Sequence, residues 1–211
     1  MILRLYRRDS PPCNGMINSK RYQLIYGGKS EINRLSSFVH RGLKGDIDLK
    51  GFDNRLLYGD ILEVIHPVSL KGFYMLGRQG IVRANEFNPD EIINKNRENL
   101  IYVMICEPLR RPYFALIPSR LSAMQHIVGG LIEPIYLSND DACVVWCNEE
   151  FLMNGSKPNR PVSGQVIHGT FFVAKDTLDK DGEYIIDSLD RARRIKYFKK
   201  FFSYFKKVDS E

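Results

Sequence analysis

Long apolar runs are missing from this sequence of 211 residues. A helix that crosses a membrane needs about 20 mainly apolar residues, and every apolar stretch here is much shorter. The N-terminal stretch MILRLYRRDS contains too few consecutive apolar residues for a signal peptide. We therefore expect a cytoplasmic protein that does not insert into a membrane.

Cysteine is scarce, and its spacing is typical of neither a zinc site nor a disulfide framework. The four residues are Cys13, Cys106, Cys143 and Cys147. Cys143 and Cys147 lie four positions apart in a predicted strand, so they share a face but lie too far apart to form a disulfide. The pattern favours free buried thiols in a reducing compartment. We predict neither a bound metal nor a cofactor.

Motifs that identify common enzyme classes are missing as well. Gly27-Gly28-Lys29 lacks the flanking pattern of a phosphate-binding loop, and no serine or cysteine lies in a nucleophile elbow. His40 and His66 have no acidic or cysteine neighbour at the spacing of metal ligands. No strand shows the basic and aromatic pattern of a sheet that binds single-stranded nucleic acid. The sequence favours a binding protein over an enzyme.

The first 190 residues carry no net charge, because they hold 23 basic and 23 acidic side chains. Residues 191–211 hold eight basic side chains against Asp209 and Glu211, so this segment supplies the whole net charge of +6. The protein is therefore predicted to be a neutral body with one positive end. Such an end favours partners that carry phosphate or carboxylate groups.

Short apolar runs separated by turn residues predict an α+β protein that is rich in antiparallel strands. The polar stretch that begins at Asn88-Pro89-Asp90 predicts a boundary between a domain over residues 1–95 and a second over residues 100–211. Few contacts should anchor residues 84–99. The predicted strands are Tyr22–Tyr26, Leu56–Tyr58, Ile61–His66, Phe73–Leu76, Ile81–Ala84, Ile101–Cys106, Tyr113–Ile117, Leu131–Leu137, Ala142–Cys147, Phe171–Ala174 and Tyr184–Ile186.

In the first domain, Gly27-Gly28 is predicted to end the strand that begins at Tyr22. Ser30 can cap a helix that closes at Gly42. The apolar positions of this helix are Ile32, Leu35, Phe38 and Val39. The later runs LLYGDILEVI and GFYMLGRQGIVRANEF resemble the second half of the YodL-like domain, which implies a mobile-element setting.

The second domain is organised around residues 119–170. Ser119 is placed to cap a helix that Gly129-Gly130 ends, and Pro134 in the next strand argues for the edge of a sheet. Asn139-Asp140-Asp141 has the composition of a turn. A polar loop is predicted from Asn148 to Pro161, at the mouth of buried strands.

Four motifs of this second half occur in a characteristic order: VGGLIEPI, VVWCNEE, GSKPNRP and IHGTFFVAK. Together they resemble the DUF3846 family, a domain of unknown function found in phage, plasmid and conjugative-element proteins. The resemblance covers about residues 101–187. It implies a genomic setting and carries no assigned chemistry.

The polar loop supplies Asn148, Glu149, Glu150, Asn159 and Arg160 as candidate partner-binding residues. Structural use is favoured: asparagine side chains would satisfy turn backbone, and the arginine would pair with a carboxylate to hold the loop. A catalytic alternative would make either glutamate a general base with His168 as its partner.

The C-terminal helix is predicted from Leu189 to Val208, with Asp187 or Ser188 as its cap and Asp190 in its first turn. Its apolar stripe consists of Ile195, Phe198, Phe201, Phe202, Phe205 and Val208. Its other side supplies candidate partner-binding cations at Arg193, Lys196, Lys199, Lys200, Lys206 and Lys207.

Three interpretations of this helix remain open. The apolar stripe packs on the second domain while the lysines only meet solvent. Alternatively, the cations contact phosphate groups or an acidic protein surface. A third interpretation places the helix on a membrane surface.

The resemblance and the missing catalytic motifs lead us to expect a phage or mobile-element accessory protein that acts by binding. We expect an inhibitor of a host defence system of the CRISPR or restriction type, with a host defence protein or ribonucleoprotein as its partner. The alternative is a nucleic-acid-binding accessory factor for element transfer or replication. A third hypothesis is a hydrolase that uses Glu149 or Glu150 with His168.

Overall fold

The structure is a computed structural model that describes residues 1–9, 17–52, 55–92, 100–137 and 142–208, with the side chains of residues 203–208 excepted. The chain divides into two compact units, Met1–Leu100 and Ile101–Glu211. Strands dominate and pair antiparallel, so the predicted α+β class is confirmed. Within the described residues, no helix has the length and apolar character that a membrane span requires.

The first unit contains five strands and one α-helix, and its strands run in the order β5-β4-β3-β1-β2. The elements are β1 (Ile2–Arg8), β2 (Tyr22–Lys29), α1 (Leu35–Lys44), β3 (Ile61–His66), β4 (Gly72–Gly77) and β5 (Gly80–Arg83). The predicted meander over β3, β4 and β5 is confirmed.

Strand β1, which the sequence prediction omitted, lies between β2 and β3 and pairs with both. Leu3 and Leu5 are fully buried, whereas Arg4 between them reaches Glu63 at the surface. The short apolar run gave no clear strand signal because arginines interrupt it.

Strand β2 continues through Gly27-Gly28, so the predicted end of this strand is wrong. Gly28 pairs with Leu3 of β1. A Cβ atom at Gly28 would lie 2.2 Å from the hydroxyl oxygen of Tyr26. Glycine is therefore needed here because a buried tyrosine occupies the space of a side chain, and not because the strand stops.

Helix α1 begins later and ends later than predicted. Arg34 precedes its first residue, and Gly45 ends it in the left-handed conformation (φ 76°). The Ser30 hydroxyl oxygen accepts a hydrogen bond from the Ile32 amide before the helix begins. Gly42, predicted to end the helix, lies inside it. Packing against Leu56 explains the glycine at position 42.

Leu56 packs against the helix at Gly42, and residues 55–57 form no strand, so the predicted strand Leu56–Tyr58 is wrong. A Cβ atom at Gly42 would lie 2.3 Å from Leu56 Cδ1 and 2.6 Å from Leu56 Cγ. Leu56 is only 1% exposed, so its side chain has little room to move. The glycine is a contact point between a helix and a buried leucine.

We expect Gly42→Ala to lower the free energy of unfolding by about 1–2 kcal/mol, because overpacking outweighs the gain in helix propensity. Urea denaturation of the purified protein measures this change. Ser36→Ala, at an exposed position of the same helix, is the control and should cause no loss. A Gly42→Ala variant as stable as the control would contradict the packing argument.

Residues 84–92 are anchored in the core of the first unit, contrary to the prediction for residues 84–99. Ala84, Phe87 and Ile92 are buried in one cluster. The ring of Phe87 lies 5.1 Å from that of Tyr6 and 5.3 Å from that of Tyr22. Pro89–Glu91 forms a 3-10 helix within this segment. The rest of the predicted linker, residues 93–99, lies outside the described residues.

The second unit contains a sheet, a separate hairpin and two α-helices. Its elements are β6 (Leu100–Cys106), β7 (Tyr113–Pro118), α2 (Leu121–Val128), β8 (Ile132–Tyr136), β9 (Cys143–Asn148), β10 (Pro158–Val162), β11 (Gln165–His168), β12 (Phe171–Leu178), β13 (Tyr184–Asp187) and α3 (Arg191–Val208). The sheet order is β7-β6-β12-β9-β8, with β13 paired to β12. Strands β10 and β11 pair only with each other among the described residues.

Helix α2 ends at Gly129 in the left-handed conformation (φ 77°), as predicted. Its N-cap position is Arg120, which makes no side-chain cap bond, so Ser119 is not the cap. Strand β8, which contains Pro134, is the last strand in the sheet order, and the predicted edge position is confirmed. The predicted turn Asn139-Asp140-Asp141 lies outside the described residues.

The predicted polar loop contains a strand that periodicity did not indicate. Residues 158–162 form β10, which pairs with β11 through Pro161 and Val166. Two prolines in five residues weaken a strand prediction, because proline cannot donate to a ladder. A two-stranded hairpin tolerates them because each strand has one free edge.

Asp190 caps helix α3, in place of the predicted Asp187 or Ser188. Its Oδ1 atom accepts a hydrogen bond from the Arg193 amide at 2.8 Å. Hydrogen bonds from Arg193 hold the pKa of the Asp190 carboxyl below its usual value. Ser188 instead accepts a bond from the Tyr102 amide at 3.1 Å, which attaches the chain to β6 just before the helix.

Candidate functional site

Helix α3 is attached to the core of the second unit through one apolar side. Tyr197 and Phe201 are buried in the same cluster as strands β6, β9 and β12, and Phe198 packs at its margin. Ile195, predicted for this stripe, is 50% exposed, whereas Tyr197 was missed. The side chains of Phe205 and Val208 lie outside the described residues. The helix is therefore part of the fold over its first three turns.

A cleft opens between β7 and the first half of α3. It has a volume of about 380 Å³ and is lined by Phe114, Arg191, Arg194, Ile195, Phe198 and Lys199. We call these six residues the α3 cleft. Its lining is half apolar and half cationic, and all of its charged members are positive.

The two aromatic residues of the cleft and one of its cations, Arg194, make ring contacts. The Phe114 and Phe198 rings lie 5.8 Å apart, which joins the strand to the helix. The Arg194 guanidinium carbon lies 4.9 Å from the centre of the Tyr102 ring. Arg194 Nε is buried and has no hydrogen-bond partner among the described residues. The cleft thus presents a positioned guanidinium beside an apolar surface.

The predicted cations of α3 fall into different environments. Lys199 lines the cleft, whereas Arg193 pairs with Asp190. Lys196 Nζ lies 5.2 Å from the ring centre of Tyr197. Lys200 Nζ lies over the ring of Phe201. The side chains of Lys206 and Lys207 lie outside the described residues.

Arg191 and Arg194 are the cationic members of the cleft that were missing from the candidate partner-binding residues. They share a helical face with Ile195, Phe198 and Lys199, since these positions follow the spacing i, i+3, i+4, i+7, i+8. The signal was present in the sequence. It was hidden because the helix was divided into one apolar and one basic side, while the cleft lies where the two meet.

Arg160 is buried, at 3% exposure, and connects three parts of the second unit. Its Nε donates to the Phe201 carbonyl oxygen at 3.0 Å, and its Nη1 donates to the Glu107 carbonyl oxygen at 3.0 Å. Further bonds go to the Arg110 carbonyl oxygen and to Asn159 Oδ1. Its partners are neutral oxygens, so the predicted carboxylate partner is wrong.

Asn159 completes this arrangement, which we call the Arg160 anchor. Its Nδ2 donates to the carbonyl oxygens of Cys106 at 2.8 Å and Gly169 at 2.7 Å. Burial lowers the pKa of the Arg160 guanidinium and raises the pKa of the Cys106 thiol to about 12. The prediction of free buried thiols is confirmed for Cys106, Cys143 and Cys147. Cys13 lies outside the described residues.

The glutamate pair lies on an exposed turn after β9. Asn148 is buried, and its Oδ1 accepts a bond from the Glu150 amide at 2.8 Å, as an asparagine in a turn does. His168 Nδ1 lies 3.1 Å from the Ser156 carbonyl oxygen. Within the described residues, no hydrogen bond or ion pair joins Glu149 or Glu150 to His168, and no metal-binding cluster occurs.

Residues 101–202 match the family described as Domain of unknown function (DUF3846). The resemblance expected for the second half is thereby confirmed. The YodL-like resemblance of the first half stays a prediction. Searches of curated proteins and of solved structures found no match.

The DUF3846 match includes both the α3 cleft and the Arg160 anchor. The motif GSKPNRP, which carries the resemblance, contains Asn159 and Arg160. These two residues hold a hairpin, a turn and a helix together. This motif is therefore explained by the fold, and the cleft offers the more open surface for a partner.

Proposed function

We propose that this protein acts by binding, as a phage or mobile-element inhibitor of a host defence system of the CRISPR or restriction type. The observation that carries the binding proposal is the α3 cleft, which lies on the element that holds the whole excess positive charge. The mobile-element role rests on the setting of DUF3846 domains. The site of action would be the cytoplasm of the host cell.

A rigid support makes α3 suitable for binding. Tyr197 and Phe201 fix the helix in the core, so the cations Lys196, Lys199 and Lys200 are presented from a fixed backbone. Cations that are held in place lose less conformational entropy on binding than cations on a loose tail. A host defence protein with an acidic surface, or a ribonucleoprotein with exposed phosphates, fits this surface by charge.

The second candidate is a nucleic-acid-binding accessory factor, and the same cations favour it. Contacts between lysines and phosphates release counterions, so affinity would fall by about one power of salt concentration for each phosphate neutralised. Nuclease treatment of a pull-down from host lysate separates the two candidates. A nucleic acid partner is lost on treatment, and a protein partner is retained.

Charge reversal on helix α3 tests the role of its cations. A variant with Lys196, Lys199 and Lys200 changed to Glu should lose about a hundredfold in partner affinity, since each tenfold requires only ~1.4 kcal/mol. Phage plating on a host that carries the defence system measures the biological effect. The control variant changes Lys20, Lys157 and Lys180 to Glu; these residues are exposed and do not belong to α3, so the net charge changes equally. Equal losses of partner affinity in both variants would mean that net charge alone causes the effect.

The glutamate pair supplies a test against the hydrolase hypothesis. Because Glu149 and Glu150 are exposed and lie on a turn without a contact to His168, we expect Glu149→Gln and Glu150→Gln to retain plating activity within about threefold, as surface substitutions usually do. Melting temperatures of both variants control for folding. A loss of several orders of magnitude in a stable variant would replace the binding proposal with a catalytic one.

A further inference from the structure

The six residues of the α3 cleft combine an apolar surface with cations, and this combination restricts the ligand. Phe114, Ile195 and Phe198 give it an apolar surface. Arg191, Arg194 and Lys199 add positive charge beside that surface, and none of the described residues of the lining is acidic. A purely apolar ligand would make no use of the positive charge of the cleft, and an anion alone would not cover the rings.

We propose that the α3 cleft binds an acidic peptide segment of the partner protein that inserts one bulky apolar side chain. This inference rests on the proposed binding function and names the chemistry of its partner. The apolar side chain contacts Ile195 and the ring pair of Phe114 and Phe198. Carboxylates before and after it in the segment contact the arginines and the lysine.

The volume of the cleft agrees with a single anchoring side chain. About 380 Å³ lies near the lower end of the ~300–1,000 Å³ that small-molecule sites occupy. Interfaces often depend on one such anchor inside a ring of residues that exclude water, and aromatic side chains are enriched among the anchors. The cleft can receive one large side chain and leave the flanking residues of the segment at the cations.

Arg194 is the cation with the clearest preparation for a carboxylate. The Tyr102 ring holds its guanidinium at 4.9 Å, and its buried Nε has no hydrogen-bond partner among the described residues. A guanidinium presents its donors in a plane and pairs with carboxylates through two parallel bonds. An acidic residue beside the anchor would pair with this positioned guanidinium.

A nucleotide fits the lining less well. Reading a base requires donors and acceptors that match its edge, and such contacts come from amide, hydroxyl or carboxylate side chains as well as from arginine. None of the described residues that line the cleft has an amide, hydroxyl or carboxylate side chain. Stacking on Phe114 or Phe198 remains available to any base, so an oligonucleotide is an outcome that the experiment must measure.

The probe is a fluorescein-labelled peptide with a central tryptophan and acidic residues on both sides, and fluorescence polarisation measures its binding to the full chain. Three companion probes are needed. One replaces the tryptophan by alanine, one replaces the acidic residues by their amides, and one is a labelled single-stranded oligothymidine. We expect saturable binding of the first peptide, and at least about tenfold weaker binding of either altered peptide, which corresponds to ~1.4 kcal/mol.

Two variants place this binding in the cleft, each with a matched control. Ile195→Glu puts a carboxylate on the apolar surface at a half-exposed position, and Leu152→Glu makes the same change at a site that is 67% exposed and outside the cleft. Lys199→Glu reverses a lining charge, and Lys180→Glu reverses an exposed charge outside both the lining and helix α3. We expect at least tenfold losses for the cleft variants, about 1.4 kcal/mol each, and less than threefold for the controls.

Three results would overturn the inference. One is the absence of saturable binding by the first peptide, and another is equal loss in Lys199→Glu and Lys180→Glu, which would show a general attraction to positive charge. The third is tighter binding of the oligonucleotide than the peptide with the same sensitivity to Ile195→Glu. If the peptide fails but charge reversal of the three lysines still abolishes plating activity, the proposed function stands without this ligand. If the peptide does not bind and charge reversal of the three lysines leaves plating activity unchanged, both proposals are wrong.

Discussion

Replacing Phe201 by alanine is expected to lower the free energy of unfolding of the second unit by about 3–5 kcal/mol. Phe201 is fully buried, and its ring lies 5.5 Å from that of Phe171 in β12. It also lies 6.3 Å from the ring of Tyr197 on the same helix. Alanine would remove these contacts and leave a cavity between helix and sheet. Urea denaturation followed by tryptophan fluorescence measures the change, since Trp146 lies in β9 of this unit.

Ile195→Ala is the matched control for this prediction, because it truncates an apolar side chain on the same helix. Ile195 is 50% exposed and lines the cleft, so its loss should cost less than about 1 kcal/mol. Similar losses in both variants would mean that the two residues contribute equally to the core. A Phe201→Ala variant with nearly unchanged stability would contradict the conclusion that α3 is part of the core of the second unit.

The position of α3 shows how far periodicity leads. The sequence correctly predicted a helix, its basic side and the burial of Phe201. It misplaced Ile195 and omitted Tyr197, because a stripe chosen by hydrophobicity excludes a tyrosine and includes every aliphatic residue near the right angle. The fold turns the helix so that Tyr197 faces the sheet. Ile195 is left at the cleft.

The first unit shows why glycines misled the prediction. Gly28 and Gly42 were interpreted as ends of elements, a frequent use of glycine. In the structure both lie inside elements, where Tyr26 and Leu56 occupy the space that a Cβ would need. The conformational role of glycine can be inferred from local sequence. Its packing role depends on residues that the fold brings near, as Leu56 is to Gly42.

The Arg160 anchor was beyond sequence reasoning for a similar reason. The motif NRP correctly suggested that an arginine holds its loop, and the only partners visible in a sequence are charged side chains. The actual acceptors are backbone carbonyl oxygens at residues 107, 110 and 201. Every residue has such a group, so composition and spacing cannot indicate which ones converge. The burial of an arginine without a carboxylate partner becomes visible only in three dimensions.

The anchor leads to the second large effect, which is expected from Arg160→Met. Methionine fills part of the volume but donates no hydrogen bond, so buried oxygens at Phe201 and Glu107 lose their donor. Each unsatisfied buried group costs about 1–3 kcal/mol, and we expect a total loss of more than ~3 kcal/mol. Denaturation with urea measures the loss. The control is Arg111→Met, at an exposed arginine next to the turn that contains Glu107 and Arg110. It should lower the free energy of unfolding by less than about 1 kcal/mol.

Arg160→Lys distinguishes a fork of donors from a simple positive charge. Lysine keeps the charge, but its compact ammonium cannot place donors at three separated carbonyl oxygens as the planar guanidinium does. We expect the lysine variant to recover less than half of the stability that methionine loses. Full recovery would mean that charge near this turn is what matters, and the geometry of the four bonds would then be incidental. Partial recovery would assign the stabilisation to the directions of the bonds that join the hairpin, the turn and α3.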